Sequence, residues 1–520
     1  MLIYKNMNNP EPKNKSIYSF VLEHTVDGKY DGEDLPDNAK ISEKLKLDGI
    51  LLAPGLLDDY QEETKDQDKV KKICDLLEAI SVGEDKKDDL YKELIGDENA
   101  ISLVDPVLAE LQNRKVKITE DFQNLSQWLM RESTDREPVK FGLFLAGVID
   151  GDAEPVLQLV LCEEFSLFAA IALIKRVKEE AGLEQILIDI ASKLEGWGKI
   201  QVIRLMTEYL ELKNTDWFLT EGWKNNIGPQ IALRCAIAGK LDQAVATADL
   251  NKIVPLVEEL IPDLGSQGLD DYEHAIFVLK KIIERLGLEQ MNIGRLLFAS
   301  RILDYLSNKE MDEESKAFGW SDESKNELIE LYKSYVGRKE WNNLTEVIFK
   351  GDDMQLANRV SSILGIDIWE KNFRYLSEDH EKARTDDYLW FNLMRNNSKE
   401  RAEKVFTLAL EVLPLDEFCT GPDIKTEFQQ DIGDARISFA ISAILQIIQP
   451  FSGVGADLLA KSLNSPMVRD RNMSLNVIEK WSVDNLKNSK LVDVLKNVVE
   501  KEPEQSVKER IEKVLSSVGH

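Results

Sequence analysis

A four-residue pattern that recurs near the C-terminal end constrains the fold of this chain more than any other feature. Val468–Arg471 and Val507–Arg510 match type for type: an apolar residue is followed by a basic, an acidic and a basic one. The two copies begin 39 residues apart (507 − 468 = 39). A chain that repeats itself at a period near forty is predicted to stack similar helical units rather than to fold around one core.

The residues around the first copy have the spacing of an amphipathic helix. Its apolar residues fall at steps near three or four, which places them on one helical face. They are Met467, Val468, Leu475, Ile478 and Trp481. A second helix is predicted over 489–499, and Pro503 marks the corner at 501–504, because proline lacks the backbone N–H that a helix needs. Two helices per period are typical of HEAT and armadillo arrays.

This segment resembles the HEAT repeat family, whose second helix often opens with a Pro-x-Val-Arg run. Pro466-Met467-Val468-Arg469 fits that run. The second copy departs from it, since Pro503 stands four rather than two residues ahead of Val507. The resemblance covers only residues 465–515. It implies an all-α fold, an α-solenoid of stacked antiparallel helix pairs.

Four regions are predicted along the chain. They are an irregular N-terminal cap or arm over 1–65, a helical repeat array over 66–310, a more polar helical region over 311–454 that continues the array, and the HEAT-like repeats over 455–520. A cap is expected because the first unit of a solenoid must cover the exposed core of the next. Within the cap, residues 17–22 fit either a short strand or a helix start, and Asp27-Gly28 signals a turn.

Helical periodicity dominates from about residue 69 onward. Beyond the C-terminal repeats, helices are predicted over 139–149, 154–161, 165–177, 183–194, 200–212, 231–238, 241–248, 253–261, 272–286, 296–306, 325–336, 341–349, 354–364, 386–394, 399–413 and 437–448. A charged run at 309–322 interrupts the pattern and marks a possible boundary. Extended alternation of β-branched residues is missing, so a large β-sheet is not expected.

The chain is strongly acidic. Its net charge is −29, from 94 acidic and 65 basic side chains among 520 residues. Such a charge repels phosphate backbones, so nucleic acid is not expected as a partner, and a solvated outer face accounts for most of the carboxylates. The four cysteines are far apart, which suits a reducing cytoplasm. No apolar run reaches the roughly 20 residues that span a bilayer, so we expect a cytoplasmic protein without a membrane span.

No motif for a catalytic, cofactor or metal site stands out. Glycine-rich phosphate loops, the Gly-x-Ser-x-Gly turn and His-Glu-x-x-His are all absent. His380 lies among Glu378, Asp379 and Glu381, which could join it around a metal, but a solvated polar loop explains the same residues. No catalytic residue, cofactor or metal ligand is therefore predicted.

Two tryptophans are candidate partner-binding residues. Trp217 and Trp223 lie close together in 215–223, with Phe218 beside the first. Exposed tryptophan often anchors a protein partner. The alternative interpretation is that these rings fill gaps between stacked helices.

The basic residues of the repeated pattern are the other candidates. They are Arg469, Arg471, Lys508 and Arg510. Because they recur at one repeat spacing, we expect them to form a column on one side of the array, where they could contact an acidic partner or phosphate. In the alternative interpretation they pair with Asp470, Glu509 and neighbouring acids as a ladder between repeats. Exposed pairs of that kind contribute roughly 0–1 kcal/mol each.

Three hypotheses about function follow. The leading one is a non-enzymatic scaffold or adaptor whose acidic solenoid surface binds a protein partner, which could be basic. The second is a helical-repeat enzyme that uses carboxylates as acid and base in a concave pocket. The third is an inhibitor or immunity-type protein that masks a basic active site. Neither the partner nor the oligomeric state can be predicted from the sequence.

Overall fold

In the computed structural model the chain is all-α. The structure describes residues 15–31, 34–41, 64, 66–95, 100–149, 151–176, 180–262, 266–425 and 432–519, and these contain 31 α-helices and one two-stranded hairpin. The predicted all-α fold is confirmed. Among the described residues, no helix is both long enough and apolar enough to cross a membrane.

The chain divides into two compact units. The first comprises Met1–Gln290 and Phe298–Tyr335, and the second comprises Met291–Leu297 and Val336–His520. Each has hydrophobic clusters of its own.

Eighteen helices precede residue 340. They are α1 Ile17–Glu23, α2 Gln67–Ser81, α3 Lys87–Leu94, α4 Ala100–Arg114, α5 Glu120–Glu132, α6 Arg136–Val148, α7 Glu154–Leu159, α8 Glu163–Arg176, α9 Glu180–Ala191, α10 Gly196–Tyr209, α11 Thr215–Trp217, α12 Ala232–Ala238, α13 Leu241–Ala244, α14 Leu250–Glu259, α15 Ala275–Leu286, α16 Ile293–Asn308, α17 Glu313–Ala317 and α18 Asp322–Val336. A 3₁₀ turn covers Asn38–Lys40, and a π-helical turn, Phe218–Gly222, follows α11 directly.

Thirteen further helices lie in the second unit. They are α19 Trp341–Lys350, α20 Met354–Leu364, α21 Trp369–Glu378, α22 His380–Thr385, α23 Asp387–Asn392, α24 Lys399–Val412, α25 Leu415–Phe418, α26 Ile432–Ile448, α27 Ala456–Ser462, α28 Val468–Ile478, α29 Val483–Lys487, α30 Leu491–Val499 and α31 Gln505–Ser517.

The described part of the N-terminal region packs onto the first unit. Residues 17–22, which fit either a strand or a helix, belong to α1, and its Ile17 and Val21 are buried against α5 and α7. Strands β1 (Thr25–Val26) and β2 (Lys29–Tyr30) follow as a hairpin. Asp27 and Gly28 form the predicted turn with φ of 51° and 75°, because a two-residue hairpin turn favours positive φ at both positions. The apolar patch at 50–57 lies outside the described residues.

Successive helices of the first unit pack on their neighbours. Helix α5 packs on α6, α6 on α8, and α8 on α10. Helix α6 is covered on nearly every side, including its Arg136 and Lys140. Glu164 of α8 compensates both charges, at 3.2 Å from the Arg136 guanidinium and 2.8 Å from the Lys140 ammonium. Asp37 accepts from Arg136 at 2.9 Å, so a buried charge network attaches the 34–41 segment to α6.

Helix α26 is central to the second unit. It packs against α22, α23, α24 and α28, and α31 packs on α28 and α30. The helices predicted over 467–481 and 489–499 are confirmed as α28 and α30, and the copy at 507–510 lies in α31. Pro503 lies in the corner between α30 and α31, where it was expected. These contacts fit a stacked arrangement; the solenoid and the HEAT relationship stay predictions.

The charged run at 309–322 does not interrupt the packing of the first unit. It contains α17, which the sequence analysis did not predict. Lys309 is buried, forms an ion pair with Asp270, and has its ammonium 4.8 Å from the centre of the Trp320 ring. The Trp320 indole N–H donates to the Leu269 carbonyl at 3.0 Å. A buried lysine of the charged run is thus neutralised by a partly exposed aspartate, which the sequence pattern could not indicate.

Candidate functional site

A polar pocket of about 290 Å³ opens on the second unit. The C-terminal half of α20, the turn at 365–368, the first turns of α21, the end of α23 and the turn that follows α23 form its walls. We call it the amide pocket and define it by the side chains Asn358, Ser362, Asp367, Asn372, Asn392 and Arg395. These groups can form hydrogen bonds, and Gly365, Ile366, Ile368 and Trp369 add apolar surface to the same lining.

Asn358 and Asn372 form the base of the amide pocket. Both are 2% exposed, and they exchange hydrogen bonds: Asn358 donates at 2.9 Å and Asn372 donates at 2.7 Å. Asn358 also donates to the Met354 carbonyl at 2.8 Å, which uses both of its amide hydrogens. Asn372 donates only one bond within the described residues, so its second amide hydrogen is available to a ligand.

Asn392 contributes a third amide at the end of α23. Its Nδ2 donates to the Tyr388 carbonyl at 2.9 Å, one turn earlier in the helix. This bond fixes the side chain and leaves one amide hydrogen and the Oδ1 acceptor, because a primary amide has two donors and one acceptor oxygen. The side chain is mostly buried, so what it presents to the pocket is set by the helix.

The turn between α20 and α21 sets the position of Asp367. Gly365 ends α20 with φ +66°, a conformation that glycine adopts at little cost. Asp367 then accepts from the Trp369 N–H at 2.9 Å, which caps the first turn of α21. Burial raises the pKa of Asp367, but the hydrogen bonds from Trp369 and Arg401 outweigh it and hold the pKa below its usual value.

Contacts of Arg401 fix one wall of the amide pocket in position. Its guanidinium donates to Asp367 and to the Asn396 carbonyl, both at 2.8 Å, and lies 4.8 Å from the centre of the Trp369 ring. Phe373 stacks on the same indole with ring centres 5.0 Å apart. Trp369 is therefore only 3% exposed and presents no ring face to a ligand. The indole N–H of Trp369 is also engaged, because it donates a hydrogen bond of 3.2 Å to a backbone carbonyl in the turn after α23.

Arg395 is the exposed charge of the amide pocket. It lies in the turn after α23, and its backbone N–H donates to the Asn392 carbonyl at 3.3 Å. Within the part of the chain that the structure describes, its guanidinium forms no ion pair. Since Asp367 is already paired with Arg401, Arg395 leaves the pocket with a net positive charge.

The two candidate tryptophans pack against the core of the first unit. Trp217 is partly buried, meets Phe218 edge to face at 5.1 Å, and donates its N–H to Ser192 at 3.2 Å. Trp223 is also partly buried and donates to the Leu219 carbonyl at 3.0 Å. The π-helical turn between them brings Gly222 against the Trp217 ring. Gap filling, the alternative interpretation of these rings, matches this packing more closely than an exposed anchor does.

The four candidate basic residues occupy different environments. Arg471 is fully buried: it makes two bonds of 2.7 Å to Glu502, and donates to the carbonyls of Ser465 and Asp423 at 2.8 Å. It has no exposed surface with which to contact a partner. Arg469 lies over the Phe439 ring at 4.3 Å.

The second copy of the pattern is more exposed. Arg510 makes two hydrogen bonds to Glu479 at 2.8 and 2.9 Å, and donates to Asn472 and Asn476 of α28. Lys508 is half-buried on the same helix, α31. Arg510 thus links α31 to α28, and Arg471 links α28 to the corner between α30 and α31. Both pair with acids, as the ladder interpretation expects, although the acids are Glu502 and Glu479 rather than Asp470 and Glu509.

Glu163 is a second candidate site, for acid–base chemistry. Burial raises its pKa to about 7, against hydrogen bonds from the backbone of Trp197 and Gly198 that lower it. Its Oε2 accepts from the Trp197 N–H at 3.2 Å, so the carboxylate satisfies the free N–H groups at the start of α10. Gly196 has φ +61°, and a Cβ there would collide with this carboxylate. The geometry is that of a helix cap supplied by a neighbouring helix.

Cysteine and histidine offer little further chemistry. Cys162 and Cys235 are buried core residues, and burial raises the pKa of the Cys235 thiol to about 12. His380 is the exposed first residue of α22 rather than part of a loop. Among the described residues, no cluster of three histidine, cysteine, aspartate or glutamate side chains is arranged to hold a metal ion.

Comparisons with protein-family models, with curated proteins and with solved structures found no match to this chain. The amide pocket was not predicted from the sequence, because α21 was not predicted and the asparagines of the pocket lie on separate helices. The available signal was Asn372 in a run whose Trp369, Phe373 and Leu376 have helical spacing.

Proposed function

We propose that this chain is a non-enzymatic protein-interaction scaffold, and that the amide pocket is a point of contact with its protein partner. The chemistry of the pocket lining supports this most directly. Asn392 keeps an N–H donor and a carbonyl acceptor side by side, as a peptide unit of a partner does, and Asn372 keeps one further N–H donor. A partner that leaves a buried amide without a hydrogen bond binds more weakly. The pocket therefore selects for a partner backbone whose donors and acceptors match its own.

The residues of the amide pocket favour binding over catalysis. The one carboxylate in its lining, Asp367, is occupied by Arg401 and the Trp369 N–H, and so is not placed to take a proton from a ligand. The neighbouring serine, Ser361, donates its hydroxyl to the Asn358 carbonyl at 2.8 Å. These groups orient one another rather than activate a nucleophile.

The charge of the whole chain supports a complementary role for the remaining surface. At −29 it would accelerate association with a basic protein and disfavour nucleic acid. We therefore keep a basic partner as part of the proposal. The stacking of neighbouring helices supports the HEAT-like solenoid as its scaffold, and the sparse cysteines support a cytoplasmic location.

An enzyme is the alternative with a specific observation in its favour. It would use Glu163, whose pKa of about 7 suits a general acid or base near neutral pH. The hydrogen bond from the Trp197 N–H weighs against this use, because it assigns the carboxylate to holding α10. An inhibitor that masks a basic active site would share the acidic surface of the scaffold and would differ in its target.

Affinity capture with a pocket-blocking variant tests the proposal. Ser362 is exposed on α20, so Ser362→Tyr adds a ring at the amide pocket without disturbing the core. Thr407→Tyr makes the matched change at an exposed position of α24 outside the pocket. Both variants, the parent chain and a protein of similar pI serve as bait in native lysate, and mass spectrometry identifies what each retains.

We expect the parent chain and Thr407→Tyr to retain one stoichiometric protein at moderate salt. We expect Ser362→Tyr and the protein of similar pI to lose it. Equal retention by all four baits, or a background that salt removes, would contradict the proposal. Retention by Ser362→Tyr at the parent level would show that the partner binds without the amide pocket.

A further inference from the structure

We infer that the amide pocket binds the C-terminal carboxylate of its partner together with the peptide unit that precedes it, and that Arg395 is the charged contact. The inference rests on the proposed protein-binding function and names the part of the partner that the pocket receives. The shared chemistry is a carboxylate next to an amide, which a small N-acylated amino acid also carries.

The charge balance of the pocket is the first support. Two charged side chains line it, and one of them, Asp367, is neutralised by Arg401 at 2.8 Å. Arg395 is left without a carboxylate partner among the described residues. The pocket is thus locally positive on a chain of charge −29. An anion bound there pairs with a guanidinium, whose planar N–H groups match the two oxygens of a carboxylate.

The count of donors and acceptors is the second support. A carboxylate only accepts hydrogen bonds, whereas the peptide unit before it both donates and accepts. Asn372 and Asn392 each keep one amide hydrogen for an acceptor, and Asn392 keeps its Oδ1 for a peptide N–H. Ser362 adds an exposed hydroxyl at the same wall. Together with Arg395, these groups match a chain end better than they match a cation.

The size of the pocket and its covered tryptophan favour a small polar group over a flat ring. Its volume of about 290 Å³ lies at the lower limit of ligand pockets, which usually measure about 300–1,000 Å³. Sugars and nucleobases commonly bind by stacking on an aromatic face, but the face of Trp369 is covered by Phe373 and Arg401. One terminal residue and its peptide unit fit this space without an aromatic contact.

Saturation-transfer NMR titrations of the full chain with three small probes test the inference. The probes are acetyl-Ala-Ala-Ala with a free carboxylate, the same peptide with a C-terminal amide, and N-acetylalanine. We expect the free acid to bind at least about tenfold more tightly than the amide, which corresponds to about 1.4 kcal/mol. Tighter binding of the tripeptide acid than of N-acetylalanine identifies a chain end, and equal binding identifies a small carboxylate.

Variants of Arg395 connect the preference to this pocket. Arg395→Gln should reduce affinity for the free acid about tenfold and leave the amide unchanged, so that the two peptides bind equally. Arg395→Lys should retain part of the preference, because it keeps the charge and loses the paired N–H groups. Arg374→Gln is the matched control: Arg374 is exposed on α21, two residues after Asn372 and therefore on another side of the helix.

Three results would overturn the inference. If free acid and amide bind the parent chain equally, and Ser362→Tyr abolishes both, the pocket recognises peptide units without their carboxylate. The proposed function would then survive and this inference would not. If no probe binds, or if Arg374→Gln reduces the preference as much as Arg395→Gln does, the inference also fails, and the capture experiment decides the proposed function on its own.

Discussion

At the scale of residues, Arg471 and Glu502 form a fully buried ion pair in the second unit. Both side chains are inaccessible to solvent, and the guanidinium donates two bonds of 2.7 Å to the carboxylate. Two further bonds to backbone carbonyls bring four of the five guanidinium N–H groups into hydrogen bonds. Removing both charges from water is expensive, so the stability of this region depends on keeping the pair complete.

Glu502→Gln should therefore destabilise the chain by about 3–5 kcal/mol, because it leaves a buried guanidinium without its counter-charge. Urea unfolding followed by circular dichroism measures the change. Glu479→Gln is the matched control, since Glu479 binds Arg510 through the same two-bond geometry on the surface and should cost about 0–1 kcal/mol. Equal losses in the two variants would contradict this account of the buried pair.

Asp470 should make stability depend on pH in an unusual direction. Burial raises its pKa from 3.8 to about 6, against hydrogen bonds from Ser438 and Ser465. Between pH 3.8 and about pH 6, the Asp470 carboxyl group is protonated to a greater extent in the folded chain than in the unfolded chain. The contribution of Asp470 to stability is therefore greatest below about pH 4, falls as pH rises, and reaches its minimum above about pH 6.

Asp470→Asn removes this dependence. Relative to the parent chain, the variant should gain up to about 3 kcal/mol in unfolding free energy between pH 4 and pH 7. Urea unfolding of both proteins across that range provides the measurement. Asp484→Asn removes the same charge from an exposed position and is the matched control. A parallel curve for Asp470→Asn would show that Asp470 does not titrate in this window.

The different environments of Arg471 and Arg510 show a limit of what the sequence can predict for single residues. Arg471 and Arg510 occupy equivalent positions of the pattern, yet the first is fully buried and the second is partly exposed. The pattern left open whether these arginines contact a partner or pair with neighbouring acids, and both pair with acids of this chain. It could not indicate which copy faces the interior, because that depends on which helices cover each one.

At the scale of elements, the start of α10 depends on a contact from another helix. Glu163 of α8 caps it, and Gly196 has positive φ with its Cα against that carboxylate. Gly196→Ala should destabilise the chain by more than about 1 kcal/mol, because alanine resists positive φ and its Cβ would displace the cap. Thermal unfolding followed by circular dichroism would detect the loss.

The same substitution elsewhere provides the control for Gly196. Gly182 lies inside α9, and a Cβ there would meet no atom within 4 Å. Gly182→Ala should therefore stabilise the chain by about 0.5–1 kcal/mol through helix propensity. Opposite signs for the two glycines support the capping contact, whereas two stabilising substitutions would argue against it.

Most helices could be predicted from the sequence, and the exceptions have a physical cause. Apolar spacing predicted α20 at its observed bounds, α24 to within one residue, and the C-terminal part of α26, which begins five residues earlier than predicted. Helix α21 was not predicted although its apolar residues have helical spacing, and its buried face also carries the polar residue Asn372. The structure compensates this amide with Asn358 of α20, and the partner of a buried polar residue lies beyond what local spacing can reveal.

At the scale of the whole molecule, the charge of −29 should govern what the chain attracts from a distance. We expect no binding to a labelled duplex of about 20 base pairs at about 50 mM salt, because acidic surfaces and phosphates repel each other. A labelled octalysine peptide should bind under the same conditions and be released by about 0.5 M salt. Fluorescence anisotropy measures both, and salt-sensitive DNA binding would contradict this expectation.

The amide pocket belongs to this scale as well. Asn358, Asn372 and Asn392 come from three helices, and no motif in the sequence joins them. Their proximity results from the packing of α20, α21 and α23, each of which carries an ordinary apolar face. The sequence could predict the helices but not the pocket, because the pocket consists of the polar positions that this packing brings together.

Arg401 gives the pocket a property that none of its lining residues has alone. By holding Asp367, the Asn396 carbonyl and Trp369 at once, it fixes the wall before any ligand arrives. A ligand then loses little affinity to the ordering of side chains, each of which otherwise costs about 0.5–1.5 kcal/mol on binding. A substitution of Arg401 should therefore change the affinity of the pocket for all of its ligands, although Arg401 contacts none of them.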